Sequence, residues 1–428
     1  MATQRTDTRM NDELARGRLR PAWPRCNRNK LIACIGIAGL IAVAGCATSP
    51  GAPHSADAKV VTIAIGGPFT GDAALDGQEI YQGASLATKA INAAGGIPAG
   101  PLKGAKISLV KFDDKDDPQT GVIVARNVIS NNSILAYVGS ALSDVSVAQA
   151  PFFERSQMPF LSVYASANTI LEPAKHYVFV VPPTFDAYSY SVADTIAADH
   201  IRSVGVIHLT GTYGELITQY LVQRLHQLGV PVVASEAFNF GDTDFRAQLA
   251  RIKAGNPQAL AMVGLTDSDT LILKQAGQLG LNVPAFDPGG IDFSQTFLNE
   301  AGSLANGLTG NTPTDPNRKT PATQRLVAAW KAAYGTSVVP DPGAFAWGAI
   351  QAVVAAAEAG GTTRQSLAQH LHSIYIPDTS TGPLSFAPDG SRIGAALWIY
   401  HIDNGAFKFL DGYEQKAVFD VVQVPLEE

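Results

Sequence analysis

The stretch Val60-Val61-Thr62-Ile63-Ala64-Ile65 is rich in β-branched residues and carries no charge, which is typical of a buried strand. Apolar residues at helical spacing follow from Gly77 to Ala94, and this pattern ends at Gly95-Gly96, as a helix C-terminus should. The same cycle of short strand and helix continues to about Leu279. Strands that alternate with helices in this way predict parallel sheets with right-handed crossovers.

The chain divides into two such runs near Pro182-Pro183, which predicts two α/β lobes. Helical segments at 321–334 and 343–359 and strand-like pieces at 397–402 and 407–410 close the pattern. About 380 residues follow the N-terminal segment, and this is more than one core usually holds. We therefore expect two domains.

The N-terminal segment has the features of a secretory signal. Residues 1–30 carry eight basic and three acidic side chains, and residues 31–45 carry no charge. The apolar run is shorter than the roughly 20 residues that a membrane-spanning helix needs. Its ending, Val43-Ala44-Gly45-Cys46, resembles a lipobox, the bacterial lipoprotein signature, which implies cleavage before Cys46 and a lipid on that cysteine. An uncleaved membrane anchor is the alternative.

The remaining chain is acidic and has no cysteine beyond the lipidation site. Without residues 1–45 it keeps 23 of 31 basic and 34 of 37 acidic residues, a net charge of −11 with histidine neutral. This charge argues against a nucleic-acid partner. Cys26 and Cys34 leave with the signal, so we expect no internal disulfide, zinc-thiolate site or cysteine nucleophile.

Several short motifs along residues 58–410 resemble one family, the type I periplasmic solute-binding proteins of the branched-chain amino acid (leucine/isoleucine/valine) group. The motifs are Gly67-Pro68-Phe69-Thr70-Gly71, Ile91-Asn92-Ala93-Ala94-Gly95-Gly96-Ile97, Asp113-Asp114-Lys115-Asp116-Asp117-Pro118, Val138-Gly139-Ser140, Tyr213-Gly214-Glu215 and Thr381-Gly382-Pro383-Leu384-Ser385-Phe386. The resemblance implies an α/β fold of two doubly wound parallel-sheet lobes joined by a crossover hinge, with solute bound in the cleft between them.

This organisation assigns each part of the chain a role. The predicted parts are a signal peptide at 1–45, a lipidated tether at 46–58, a first lobe at 59–181 plus 314–378, and a second lobe at 182–313 plus 379–425. Ligands of open parallel sheets bind beyond the carboxyl ends of the strands.

The segment Gly139–Asp144 runs from a strand end into a helix start, where backbone N–H groups and a hydroxyl favour a carboxylate. The resemblance places Ser143 at the family's carboxylate-binding serine, with Leu142 beside it; the alternative is that Ser143 only caps its helix. Asp144 could cap that helix or, if it faces the cleft, repel an anion.

The resemblance assigns three more contacts. Ser166 matches a second hydroxyl position, Tyr164 a residue that offers backbone contacts, and Tyr213 an aromatic residue of the second lobe that covers the ligand on closure. The alternatives are a turn hydroxyl for Ser166 and surface packing for Tyr213. Asp76 falls where the family has a pocket-wall side chain and could bind a cation or hydroxyl, although a solvated loop acid is the preferred interpretation.

The loop Asp287-Pro288-Gly289-Gly290 departs from the family, which binds the ligand's ammonium with an acid at the position of Gly289. A buried ammonium needs a counter-charge, which Asp287 or Asp292 could supply from nearby. Leu265 stands in place of a second-lobe tyrosine. We therefore expect a small solute with a carboxylate or amide, not necessarily an amino acid.

Catalytic and metal-binding patterns are missing from the sequence. There is no Gly-x-Ser-x-Gly elbow, phosphate loop or His-Glu-x-x-His motif. His370 and His372 fall on different helix faces, and the acidic run 113–117 is interpreted as a solvated loop rather than a calcium site. We expect no enzyme activity, no cofactor and no metal.

The predicted function is that of a monomeric, lipid-anchored extracytoplasmic binding protein that delivers solute to an ABC transporter permease. It would contact the membrane only through its lipid. Two alternatives share this fold: an envelope lipoprotein that activates a protein partner, slightly favoured by Ala47 after the lipid cysteine, and a ligand sensor for a membrane receptor.

Overall fold

The computed structural model describes residues 59–290 and 293–410. The first half of this region forms a five-stranded sheet with strand order β2-β1-β3-β4-β5, and all neighbouring strands are parallel. Its strands are β1 (Val60–Gly67), β2 (Lys106–Asp113), β3 (Ile134–Val138), β4 (Phe160–Ser162) and β5 (Val178–Val180). The connecting helices are α1 (Ala74–Ala93), α2 (Pro118–Ser130) and α3 (Ser143–Arg155).

A second sheet of seven strands follows, in the order β15-β14-β10-β9-β8-β6-β7. Its parallel part comprises β6 (Val204–Leu209), β7 (Val232–Phe238), β8 (Ala259–Val263), β9 (Ala285–Asp287) and β10 (Thr309–Thr312). The hairpin β14 (Trp398–Asp403) and β15 (Ala406–Phe409) adds an antiparallel edge. The helices of this part are α4 (Phe185–Ala198), α5 (Thr212–Gln227), α6 (Arg246–Ala254), α7 (Thr266–Gln278) and α8 (Gln295–Ala301).

The chain passes between the two sheets more than once. After β10 it returns to the first sheet as α9 (Pro321–Tyr334), α10 (Asp341–Glu358) and α11 (Arg364–Leu371). A small antiparallel sheet of β11 (Ile376–Thr379), β12 (Gly382–Phe386) and β13 (Arg392–Ile393) then leads back to β14. The α/β prediction with two parallel sheets is confirmed, whereas the exact lobe boundaries stay a prediction.

The inner strands β1, β3, β6 and β8 are largely buried on both faces, which explains why they are continuous apolar runs. The edge strands β2 and β7 are partly exposed. One core cluster joins Ile63 and Ile65 of β1 to Phe345 and Ile350 of α10. A second cluster spans both sheets through α4, and a third fills the outer face of the second sheet.

A close contact between helices α1 and α10 requires glycine at position 83. A Cβ atom at Gly83 of α1 would lie 1.9 Å from the backbone oxygen of Gly343 in α10. Only glycine therefore permits these two helices to approach so closely.

Sequence patterns located most element starts. α2 begins at Pro118 as predicted, and Asp117 caps it by accepting a 2.7 Å hydrogen bond from the Thr120 N–H. α1 instead begins at Ala74, one turn before the predicted start at Gly77. Within the described ranges, no helix has both the length and the apolar character needed to cross a bilayer.

Candidate solute-binding site

Ser143 lies at the start of α3 and is buried, with 3% of its surface exposed. Leu142 holds the N-cap position and makes no side-chain cap bond. Ser143 is therefore not the cap of its helix, which removes the simplest structural explanation for it. Its hydroxyl lies at a helix end whose free N–H groups favour an anion.

Residues from both sheets line a narrow cavity at this helix end, with a volume of about 30 Å³. The lining residues that the sequence predicted are Asp76, Leu142, Ser143, Tyr164, Ser166, Tyr213 and Gly289. The remaining lining residues are Ala141, Ala165, Phe185, Tyr188 and Leu265. This volume holds about one or two water molecules, so the first cavity alone is too small for a whole amino acid.

Phe185 and Tyr188 are site residues that sequence reasoning missed. They lie one turn apart at the start of α4, which follows the first passage between the sheets. Aromatic residues at this spacing directly after Pro182-Pro183 were the available signal, but the same spacing is typical of an ordinary core helix.

Ser166 and Tyr164 lie in the turn after β4. Ser166 is 2% exposed, and its hydroxyl donates a 3.0 Å hydrogen bond to the Tyr164 carbonyl oxygen. In this structure Ser166 is thus a turn hydroxyl that also lines the cavity. It could donate to a solute only after its hydroxyl rotates.

Tyr213 enters the cavity from the start of α5 and meets Gly289 from the loop after β9. A Cβ atom at position 289 would lie 1.9 Å from the Tyr213 hydroxyl oxygen. The Tyr213 ring packs edge-on against Phe185, with ring centroids 5.6 Å apart. Tyr213 thus occupies the space that a side chain at position 289 would need.

Asp287 was predicted as a ligand contact, and the structure does not bring it to the cavity lining. It is fully buried, and its Oδ1 accepts hydrogen bonds from the N–H groups of Gly289 (2.9 Å) and Gly290 (3.0 Å). The Asp287 side chain folds back toward the backbone of the two residues that donate to it. Its carboxylate is therefore held within its own loop. Asp292 lies outside the described residues.

Asp76 is not the solvated loop acid that the sequence suggested. Because α1 starts a turn early, Asp76 falls in the first helical turn, where it is half-buried and lines the cavity. Burial, with the nearby charges of Asp116 and Asp267, raises the pKa of Asp76 to about 7.

Asp144 neither caps its own helix nor lines the cavity. Its Oδ1 accepts a 3.3 Å hydrogen bond from the Thr212 N–H and a further one from the Thr212 hydroxyl. Thr212 is the first residue of α5. This contact joins the helices that present Ser143 and Tyr213.

The acidic run after β2 organises the site rather than forming a solvated loop. Asp113 accepts from the Phe69 N–H (2.9 Å), and Asp116 accepts from the Ala73 N–H (3.0 Å), so both hold the loop before α1. Asp114 is buried and accepts from the Ser140 hydroxyl. Among the described residues, no cluster of three or more histidine, cysteine, aspartate or glutamate side chains is arranged to hold a metal ion.

A larger cavity of about 290 Å³ adjoins the first and shares Asp76 and Leu265 with it. Its apolar walls include Leu75, Phe238, Phe240 and Leu271, and its acidic residues are Asp72, Asp76, Asp242 and Asp267. Helix α1, the second-sheet elements β7 and α7, and the loops that adjoin them supply these walls.

A cavity between two α/β sheets, lined by hydroxyls at a helix start, is typical of a solute-binding protein. The periplasmic binding protein family model matches residues 60–406, and the chain belongs to this family. Its homologues are binding proteins rather than enzymes, as the sequence predicted.

Curated relatives match over most of their length. The chain is 28% identical over 379 residues to the leucine-, isoleucine-, valine-, threonine- and alanine-binding protein of Pseudomonas aeruginosa, covering 87% of this chain and 95% of that protein. It is 28% identical over 354 residues to a Leu/Ile/Val/Thr-binding protein of Salmonella typhimurium, covering 81% and 92%.

Solved structures share the fold at lower identity. The leucine-binding protein LivK of Thermotoga maritima superposes with a TM-score of 0.75 at 22% identity, covering 82% of this chain and 97% of that one. A solute-binding protein of R. palustris in complex with benzoate gives 0.74 at 18% identity, covering 82% and 95%. A protein named for leucine binding and a protein solved with benzoate thus share this fold.

Proposed function

We propose that this protein is a lipid-anchored extracytoplasmic solute-binding protein that captures a small polar solute and delivers it to an ABC transporter permease. The solute class is an amino acid, a carboxylate or an amide. The observation that carries the proposal is that one cavity is lined both by the start of α3, on the first sheet, and by Tyr213 and Gly289, on the second.

The arrangement supports a closure mechanism. A solute carboxylate at the start of α3 would receive backbone N–H groups and the Ser143 hydroxyl. Tyr213 would cover it from the opposite side. Contacts made to both sides exist only in the closed form, so ligand shifts the population toward it. The proposed lobes, 59–181 plus 314–378 and 182–313 plus 379–425, would move as the two bodies, and the permease would read the closed form.

The amino-acid part of the proposal follows the names of the curated relatives. The anchoring part rests on the sequence around Cys46, which lies outside the described residues. Anchoring is tested separately: Cys46→Ala should abolish incorporation of a labelled fatty acid and release the protein from membranes. Label that persists would refute the lipid site.

Solute binding is tested by thermal shift against branched-chain and other amino acids, amides, aromatic acids and short dicarboxylates. A ligand at 1,000 times its Kd should add about 4 kcal/mol to the free energy of unfolding. A hit that is then imported more slowly by cells lacking the protein supports delivery to a permease. A broad panel without any shift would contradict solute capture and favour the partner-activating alternative.

A further inference from the structure

The first cavity has one carboxylate and no cation in its lining. Of the described residues that line it, Asp76 is the acid, and none is lysine, arginine or histidine. The other polar groups are the hydroxyls of Ser143 and Ser166 and the phenols of Tyr164, Tyr188 and Tyr213. The start of α3 favours a negatively charged group of a solute, whereas the Asp76 carboxylate favours a positively charged one. The two ends of the cavity therefore suit opposite charges.

The loop after β9 cannot supply a second carboxylate in this arrangement. The Tyr213 hydroxyl lies 1.9 Å from the position of a Cβ atom at Gly289, so a longer side chain there would displace Tyr213. The Asp287 carboxylate accepts from the N–H groups of its own loop and is absent from the lining. Among the described residues that line the first cavity, Asp76 on α1 is therefore the carboxylate that can supply a counter-charge.

We propose, building on the proposed solute-binding function, that Asp76 binds the ammonium group of an α-amino-acid-type solute. The solute's carboxylate would lie at the start of α3, beside Ser143. Its ammonium would lie at Asp76, at the junction of the two cavities. An ammonium buried without such a partner would be costly.

The adjoining cavity then receives the solute's side chain. At about 290 Å³ it has room that the first cavity lacks, and Leu75, Phe238, Phe240 and Leu271 give it apolar walls. Asp72, Asp242 and Asp267 line the same space. Their carboxylates would repel an anionic side chain, so the expected solutes exclude aspartate and glutamate. The apolar walls suit an apolar side chain such as that of leucine.

Neighbouring acidic groups make the surroundings of Asp76 more negative and so favour a bound cation. Asp116 and Asp267 face it from the loop after β2 and from α7, and Glu79 and Tyr164 lie close on its own helix and on the turn after β4. Since burial and these charges raise the pKa of Asp76 to about 7, the ionised form that binds ammonium is lost as the pH falls below that value. Affinity should therefore rise about tenfold from pH 6 to pH 8.

The test is calorimetric titration of the full-length protein in mild detergent at pH 8 with L-leucine and with 4-methylpentanoate, which is leucine without its amino group. Asp76→Asn should weaken the affinity for leucine at least tenfold and change the affinity for 4-methylpentanoate by no more than about twofold. It should also remove the pH dependence of leucine binding. Asp76→Glu should restore part of the leucine affinity. Asp186→Asn, the half-buried first-turn acid of α4 outside the lining, is the matched control.

The outcomes separate the two proposals. Wild-type protein that binds 4-methylpentanoate at least as tightly as leucine would keep solute binding and overturn the role of Asp76. Equal losses for both probes in Asp76→Asn, at a Tm no lower than that of the wild type, would overturn it as well. Wild-type protein that binds neither probe at millimolar concentration would overturn the assignment of an apolar α-amino acid, while the wider panel decides solute binding itself.

Discussion

The carboxylate of Asp144 accepts hydrogen bonds from both the backbone N–H and the hydroxyl of Thr212. Asp144 is in the first turn of α3, and Thr212 begins α5. The two helices belong to different sheets and carry Ser143 and Tyr213, the residues on opposite sides of the cavity. Under the proposed closure this bond would form only in the closed form, and it would favour that form whether or not solute is present.

Removing that contact should shift the protein toward the open form. We expect Asp144→Ala to increase the Kd for solute severalfold, because the competent closed state becomes less populated. Small-angle X-ray scattering should show a larger radius of gyration without solute. Asp199→Ala, an exposed acid at the C-terminus of α4, should change neither quantity. An unaltered Kd and radius in Asp144→Ala would contradict the role.

Tyr213 and Gly289 should behave as a coupled pair. Gly289→Ala places a Cβ atom 1.9 Å from the Tyr213 hydroxyl oxygen and 2.9 Å from the adjacent ring carbon. We expect it to lower solute affinity at least tenfold by forcing Tyr213 from the cavity. In the double variant Tyr213→Ala/Gly289→Ala the alanine at 289 should add little to the loss caused by Tyr213→Ala alone. Additive losses in a double-mutant cycle would refute the coupling.

Sequence reasoning located the parts of the site that depend on local geometry. Ser143, Tyr164 and Ser166 follow strand ends, and strand ends are visible as the last residues of apolar runs. Asp76 was misjudged because its exposure depends on where α1 begins, and Asp287 because its carboxylate folds back on its own loop. Neither of these orientations leaves a mark in apolar periodicity.

Long-range packing was the other limit. The sequence predicted two parallel α/β lobes since each β-α cycle is local. It did not show that α4 brings Phe185 and Tyr188 to the cavity, or that Asp144 bonds to Thr212, which lies 68 residues later. These contacts depend on how separate elements meet in space.

Stability should fall as the pH rises because of buried acids. Burial raises the pKa of Asp76 to about 7 and, as the main cause, raises those of Glu79 and Asp341 well above the usual range. Between the unfolded and folded pKa values the folded state holds more protons, so their contribution to stability is present at low pH and lost on raising it.

Asp76→Asn should therefore raise the Tm of the ligand-free protein more at pH 8 than at pH 5, by a difference of about 5 °C. Thermal melts of wild type and variant in matched buffers measure this difference. An equal Tm change at both pH values would show that the raised pKa of Asp76 makes no contribution.

The two glycines Gly83 and Gly348 should respond in opposite ways to alanine. A Cβ atom at Gly83 meets the Gly343 carbonyl oxygen at 1.9 Å, whereas one at Gly348, within α10, meets nothing within 4 Å. We expect Gly83→Ala to cost about 1–3 kcal/mol by separating α1 from α10. Gly348→Ala should stabilise by about 0.5–1 kcal/mol through its higher helix propensity. Urea denaturation measures both, and a stable Gly83→Ala variant would contradict the close helix contact.

Arg392 and Arg364 each hold backbone carbonyls, yet only Arg392 joins segments that run between the sheets. Arg392 is 4% exposed, and its guanidinium donates to the carbonyl oxygens of Val181 (3.0 Å), Thr381 (2.8 Å) and Pro383 (2.9 Å). Arg364 donates to the carbonyl oxygens of Ile129, Ile134 and Asn131, all beside the first sheet.

Lysine cannot reach three acceptors in the same planar geometry, so each Arg→Lys change should cost about 2–3 kcal/mol of stability. Only Arg392→Lys should also alter solute affinity, because in the proposed closure mechanism it would loosen the connection about which the lobes move. Equal affinities in the two variants would show that Arg392 acts on stability alone.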